Sequence, residues 1–105
     1  MKFFLLVLLL LPTGARAETP DGQQIAMHGN DSGALPCAAC HGVQGQGNAS
    51  IGAPKLAGLP AATIEPDLKQ FASGAGNATM QNIAQALSPA ETAAVANYFS
   101  GLKAP

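Results

Sequence analysis

Two cysteines and a histidine stand together in the sequence as Cys37-Ala38-Ala39-Cys40-His41. Residues three apart lie on the same face of a helical turn, so both sulfurs would point the same way, with the imidazole directly behind them. Three chemistries use such a pattern: a thioredoxin-like dithiol, a structural zinc site and the covalent attachment of a c-type haem. The dithiol wants a βαβ setting, which is absent here, and zinc needs two further ligands at suitable spacing. The C-x-x-C-H order favours haem attachment, in which both thiols bond to the porphyrin edge and His41 takes one axial position on iron.

The first seventeen residues predict an export signal that is not part of the fold. Lys2 precedes an unbroken apolar run from Phe3 to Leu11, and Ala15-Arg16-Ala17 has the small-x-small pattern that signal peptidase cleaves. The run is too short to span a bilayer as a stable helix, and a retained membrane anchor is the alternative interpretation. We therefore expect a cleaved signal peptide over residues 1–17. Residues 18–105 should form one monohaem domain in the periplasm, with no membrane span after cleavage.

Cleavage of this segment would change the charge balance of the protein. Removal of Lys2 and Arg16 from the five basic residues leaves three lysines against six acidic side chains, a net charge of minus three without any arginine. Nucleic-acid-binding proteins need a basic face that displaces counterions from phosphate, so that class is excluded. An acidic surface suits either a partner with a basic docking patch or simple solubility.

The expected domain has few bulky side chains with which to build a core. Glycine and alanine are frequent, and the only aromatic residues after the predicted signal are Phe71, Tyr98 and Phe99. A chain of this length buries a reduced share of its surface on folding. A disulfide between cysteines three apart would close too small a loop to constrain the unfolded chain much. A large apolar cofactor would fill the centre better.

The elements that would position the motif are helices separated by glycine-rich loops, without a convincing strand. The first predicted helix runs from about Gly22 to His28 and is followed by the short motif helix and a long loop over residues 42–60. A further helix runs from the N-cap Thr63 to Ser73, and a second loop covers residues 74–79. The last helix ends at about Ser100. Ser88-Pro89-Ala90-Glu91 predicts the start of that last helix, because it combines a capping box with proline at the first helical position. Its apolar stripe, which includes Val95 and Phe99, should face the core.

In this setting, residues 21–103 resemble the class I cytochromes c, in particular the short bacterial periplasmic monohaem type or one half of a dihaem one. The resemblance is carried, in order, by Gly22-Gln23-Gln24-Ile25-Ala26, Pro36-Cys37-Ala38-Ala39-Cys40-His41-Gly42, Ala53-Pro54-Lys55-Leu56-Ala57-Gly58, Leu68-Lys69-Gln70-Phe71, Met80 with Ile83-Ala84 and Leu87-Ser88, and Ala96-Asn97-Tyr98-Phe99. It implies an all-α, small cytochrome c fold of three to five helices wrapped around one covalently attached haem c with its iron.

The resemblance also implies roles for individual residues around the haem. Met80, the only methionine after His41, would be the second iron ligand. The backbone carbonyl of Pro54 would accept a hydrogen bond from the non-ligating nitrogen of His41. Leu56 and Phe71 would pack against the haem.

Other positions are assigned ordinary roles, and one departs from the family pattern. Met27 and His28 precede the motif on the first helix, and we expect core packing for Met27 and surface exposure for His28. Relatives often carry an arginine near residues 74–77 that can pair with a haem propionate. This chain has none, which leaves water, backbone N–H groups or Lys55 for that task.

A six-coordinate His/Met iron has no vacant position for a substrate, so the resemblance implies a one-electron carrier and not an enzyme. Its expected partners are redox proteins, with a dehydrogenase or quinol-oxidising complex as donor and an oxidase or peroxidase as acceptor. The alternative is a cytochrome subunit of a specific periplasmic dehydrogenase complex. A third class, a catalytic or gas-sensing haem, needs a vacant iron site, which carbon monoxide binding to the reduced protein would reveal.

Intact-mass analysis of protein from cells that mature c-type cytochromes checks the export prediction. We expect a chain that begins at Glu18 and carries the added mass of one haem, because the Ala15-Arg16-Ala17 site predicts cleavage after Ala17. A mass that retains residues 1–17 would instead support the membrane-anchored alternative.

Overall fold

The computed structural model describes residues 19–104, and the predicted signal peptide lies outside them. The helices in this part of the chain are α1 (Gly22–His28), α2 (Ala38–His41), α3 (Ala61–Ala72), α4 (Ala78–Gln85) and α5 (Pro89–Ser100). The long loop after α2 contains one 3₁₀ turn, Ala49–Ile51, and an isolated antiparallel bridge between Asn48 and Ala53. Residues 19–104 contain no β-strand, and the predicted all-α class is confirmed.

Two helix starts follow directly from local sequence. The Asp21 carboxylate caps α1 by accepting hydrogen bonds from the backbone N–H groups of Gln23 and Gln24, at 3.0 and 3.2 Å. At α5 the predicted capping box is present: the Glu91 N–H donates to Ser88 Oγ at 3.0 Å, and the Ser88 N–H donates to Glu91 Oε1 at 2.9 Å. Each cap satisfies donors that the first turn of a helix leaves without partners.

The predicted N-cap of α3 is wrong by three residues. Thr63 is not the N-cap, because the helix begins at Ala61 after Pro60, whose φ of −60° and ψ of 142° form the turn into the helix. The N–H groups of Thr63 and Ile64 donate to the Pro60 carbonyl at 2.8 and 3.1 Å. The backbone of Pro60 thus replaces the side-chain cap expected from threonine. The earlier start brings Pro66 into the interior of the helix.

The core is built around α5, with α1 and α3 packed against it and α4 packed on α3. Val95 and Phe99 of the predicted stripe are its largest fully buried side chains, and Thr92 is also buried on the same helix. The other members of the buried cluster are alanine, isoleucine and leucine side chains, none of them aromatic: Ile25, Ala26, Ile64, Leu68, Ala84 and Ala96. No helix within residues 19–104 is long and apolar enough to cross a membrane.

Glycine at position 22 allows α1 and α5 to approach closely. A Cβ atom built on Gly22 would collide with the backbone carbonyl of Ala94 and would lie 3.0 Å from the Cβ of Tyr98. The family resemblance also implies a close crossing of α1 at Gly22 against Tyr98 or Phe99, and the structure places it at Ala94 and Tyr98. The two helices that are farthest apart in the sequence are therefore in direct backbone contact.

Candidate functional site

The motif helix α2 is a single turn that presents the two thiols differently. The His41 N–H donates to the Cys37 carbonyl at 2.9 Å, and Gly42, with φ of 92°, ends the turn in a conformation that favours glycine. Cys37 is partly buried and packs against the core, whereas Cys40 is exposed. Burial raises the pKa of the Cys37 thiol, opposed by a backbone hydrogen bond that lowers it. A thiol held protonated is a poor nucleophile, which does not suit the dithiol alternative.

His41 is buried and fixed by one hydrogen bond. Its Nδ1 lies 2.8 Å from the backbone carbonyl oxygen of Pro54, the contact predicted from the resemblance. Because a carbonyl can only accept, Nδ1 carries the proton and donates it, and Nε2 keeps its lone pair. Within the described residues no hydrogen bond occupies Nε2. The imidazole therefore has the tautomer that a metal ligand requires.

The Pro54 carbonyl is held in place by the loop that precedes it. Asn48 and Ala53 exchange two backbone hydrogen bonds of 2.7 and 3.0 Å, which close the six-residue turn before Pro54. Asn48 Oδ1 also accepts from the N–H and the hydroxyl of Ser50, at 3.1 and 2.6 Å. On the other side of Pro54, the Gly45 carbonyl accepts from Leu56 and Ala57 at 2.8 and 3.0 Å. The acceptor for His41 thus lies between two anchored segments.

Asn48 and Gly45 are supporting residues that sequence reasoning missed. In the sequence, Asn48 is one more polar residue of a glycine-rich loop. Because asparagine commonly caps turns, it could have indicated the turn that follows it. Gly45 has φ of 67°, and a Cβ there would lie 3.0 Å from the Phe99 ring and 3.1 Å from the Ala57 nitrogen. Both its conformation and its surroundings therefore require glycine, and only the folded structure shows the second reason.

Met80 lies inside α4, a helix that the predicted order of elements did not include. It is the third residue of α4, whose N-cap is Asn77: Asn77 Oδ1 accepts from the Met80 N–H at 2.8 Å. The side chain is partly buried and packs against the same core as Cys37. The structure thus brings the motif and Met80 to one core from segments about forty residues apart.

Leu56 and Phe71 also pack against this core and keep part of their surface uncovered. The Phe71 ring additionally covers Gly76, where a Cβ would collide with the ring, and so supports the turn that leads into α4. Large apolar side chains that are only half covered fit a chain that leaves part of its interior to a large apolar group. Together with the imidazole tautomer, this arrangement fits a haem attached through Cys37 and Cys40.

The remaining sequence predictions concern the surroundings of the motif. His28 is exposed, as expected, whereas the core packing expected of Met27 is wrong, because this side chain is half-buried and does not belong to the core cluster. Lys55, beside Pro54, is exposed, whereas Lys69 pairs with Glu65 at 3.7 Å within α3. Among residues 19–104, no three His, Cys, Asp or Glu side chains come together as metal ligands, so this region supplies no set for the structural zinc alternative.

The comparisons with known proteins agree with one another on the family. The family model described as cytochrome c matches residues 21–103. A protein named thiosulfate dehydrogenase electron acceptor from Thiomonas intermedia (strain K12) is 48% identical over 67% of this chain and 33% of its own length. A protein of the same name from Stutzerimonas stutzeri (strain A1501) is 42% identical over 86% of this chain and 43% of its own length. The chain thus spans less than half the length of these relatives.

A solved structure extends the similarity to the fold. Reduced cytochrome c4 from Pseudomonas stutzeri superposes with a TM-score of 0.73 at 32% identity, over 78% of this chain and 46% of the other. This chain is therefore similar to that cytochrome in both sequence and fold.

The half-covered core generates a prediction about folding without the cofactor. Replacing both Cys37 and Cys40 by alanine removes the attachment points, and we expect the resulting haem-free protein to be largely unfolded, because its small buried cluster cannot offset the conformational entropy of the chain. Far-UV circular dichroism checks this. A cooperative, native-like helical spectrum without haem would contradict the prediction.

Proposed function

The chain belongs to the cytochrome c family, and we propose that it is a periplasmic electron carrier whose haem iron is held between His41 and Met80. Membership of the family establishes the coarser part of this statement: the protein carries a covalent c-type haem, attached at a C-x-x-C-H motif, and functions in electron transfer. The ligand pair, the location and the redox partners are the proposal.

The hydrogen bond from His41 to Pro54 is the observation that carries the ligand assignment. It places the proton on Nδ1 and leaves Nε2 as a donor of electron density, and an anchored carbonyl acceptor raises the basicity of the imidazole. The ring is also buried, so its orientation is fixed before iron binds. Cys37, the N-cap of the same helix, and Cys40, the residue before His41, would be the attachment points.

The position of Met80 supports its role as the opposite ligand. Its backbone is fixed by the Asn77 cap, and its side chain lies partly buried against the core that Cys37 also contacts. Leu56 and Phe71 pack on that core as well and would exclude water from the haem faces. A partly exposed thioether on a fixed helix is available to a soft metal centre, whereas Met27 lies outside the cluster.

When bound, a c-type haem supplies one-electron exchange between ferric and ferrous iron. The residues of the chain fix the conditions of that exchange. His41 and Met80 would both bind the iron and leave it no position for a substrate, and the thioether of Met80 would favour the ferrous state and so raise the reduction potential. Cys37 and Cys40 would keep the cofactor from dissociating outside the cell.

Periplasmic location is supported by the predicted signal over residues 1–17 and by the requirement of C-x-x-C-H attachment for reduced, exported cysteines. The relatives' names favour a dehydrogenase as the electron donor. We therefore assign the donor to the class of thiosulfate dehydrogenases, either as a free carrier or as a cytochrome subunit held in the complex.

Substitution of Met80 by alanine tests the ligand assignment. The haem should stay attached, because Cys37, Cys40 and His41 are untouched, but the iron loses its soft sulfur ligand. We expect a high-spin spectrum, carbon monoxide binding in the reduced state and a lower reduction potential.

Met27→Ala is the matched control and should change none of these properties, since Met27 lies outside the core cluster. If Met80→Ala kept the low-spin spectrum and the potential while Met27→Ala lost them, the assignment would be wrong. Ready binding of carbon monoxide by the reduced, unmutated protein would argue against the carrier function itself.

Stopped-flow mixing tests the proposed donor. The ferric protein should be reduced rapidly by a thiosulfate dehydrogenase supplied with thiosulfate, and not by thiosulfate alone, because an iron bound by both His41 and Met80 would have no position for a substrate. Size-exclusion chromatography of the mixture separates a free carrier from a stable subunit. Reduction by a quinol-oxidising complex with no reduction by the dehydrogenase would refute this donor.

A further inference from the structure

The side chain of Asn30 joins three segments of the chain. Its amide nitrogen donates to the carbonyl oxygen of Ala86 at 2.8 Å and to Glu91 Oε1 at 2.9 Å. Its amide oxygen accepts from the N–H groups of Ser32 and Ala34 at 3.0 and 2.9 Å. Both hydrogens and both acceptor positions of the amide are thus in use, and the group is partly buried.

Asn30 makes two short-range hydrogen bonds and two long-range ones along the sequence. The bonds to Ser32 and Ala34 shape the short connector that leads from α1 to the motif helix. The bonds to Ala86 and Glu91 cross 56 and 61 residues of sequence, to the C-cap of α4 and to the capping box of α5. The bond to Glu91 has a charged acceptor and is the stronger kind.

We propose that Asn30 is a positioning residue that holds α4, and with it Met80, against the segment leading into Cys37. The inference rests on the proposed ligand pair, since it concerns the hold of the protein on its sixth ligand. Met80 lies six residues before Ala86, less than two helical turns along the same short helix. Asn77 fixes one end of α4 and Asn30 fixes the other.

Movement of α4 or of the turn before it would carry Met80 away from the iron, and the bonds of Asn30 oppose that movement. The apparent affinity of an external ligand for the ferric iron scales with the fraction of molecules in which Met80 has left. Weakening the bonds to Ala86 and Glu91 therefore increases that affinity without touching either axial ligand.

Asn30→Asp separates the long contacts from the local ones. Aspartate keeps the oxygen that accepts from Ser32 and Ala34, but it cannot donate to Ala86 and places a carboxylate against Glu91. Asn97→Asp adds the same charge at an exposed position of α5, and Asp21→Ala removes the α1 cap as a general loss of stability. These two variants are the controls.

Titration of the ferric holoprotein with imidazole is the measurement, followed by the methionine-to-iron charge-transfer band at the red end of the visible spectrum. Asn30→Asp should bind imidazole about tenfold more tightly than the wild type, as expected for loss of a charge-assisted bond. Asn97→Asp and Asp21→Ala should bind it with the affinity of the wild type. Equal affinity in Asn30→Asp and Asn97→Asp, or an equal increase in Asp21→Ala, would overturn the proposal.

A second pair of variants applies if Asn30→Asp yields no holoprotein. Glu91→Ala removes one acceptor of Asn30 together with the capping box, whereas Ser88→Ala breaks the same box and leaves the Asn30–Glu91 bond in place. Tighter imidazole binding in Glu91→Ala alone supports the proposal, and equal binding in both overturns it. A wild-type protein without the charge-transfer band would overturn the Met80 assignment and this inference together. If the wild type shows the band and imidazole abolishes it at the same concentrations in Asn30→Asp as in the wild type, the inference alone would be overturned.

Discussion

The hydrogen bond between His41 and Pro54 is the contact on which the site depends. It joins the end of the motif helix to a loop thirteen residues further on, and so fixes at once the tautomer of the imidazole and the path of the chain around it. Much of the surrounding structure serves that one carbonyl. The Asn48–Ala53 turn precedes it, and the double acceptor at Gly45 anchors the residues that follow. Such support matters because a metal ligand is only as well oriented as the group that holds its other nitrogen.

The second constraint is that the core contains few large side chains. A core with two large fully buried side chains, Val95 and Phe99, leaves Leu56, Phe71 and Met80 half covered. In most small exported domains a disulfide would compensate, but here the two cysteines serve the cofactor. The covalent haem of the family therefore has a structural task besides its electronic one, because it completes the interior that the chain leaves open.

Local chemistry explains which parts of the structure could be predicted. The start of α5 was predictable because Ser88, Pro89 and Glu91 act on one another within a single turn. The start of α3 was not, because the turn at Pro60 supplied a backbone acceptor and made the Thr63 cap unnecessary. Cys37, Cys40 and His41 are contiguous and define a motif, whereas the contact of Pro54 could be stated only through the family resemblance. The partners of Asn30 lie 56 and 61 residues away, and no local pattern in the sequence announces them.

The close approach of α1 and α5 at Gly22 has a consequence for longer chains. Because the first turn of α1 rests on Ala94 and Tyr98, the start of α1 lies beside the last two turns of α5. The relatives named thiosulfate dehydrogenase electron acceptor continue well beyond the matched part. A further domain attached before α1 would therefore join the chain close to the point at which one attached after α5 would join it.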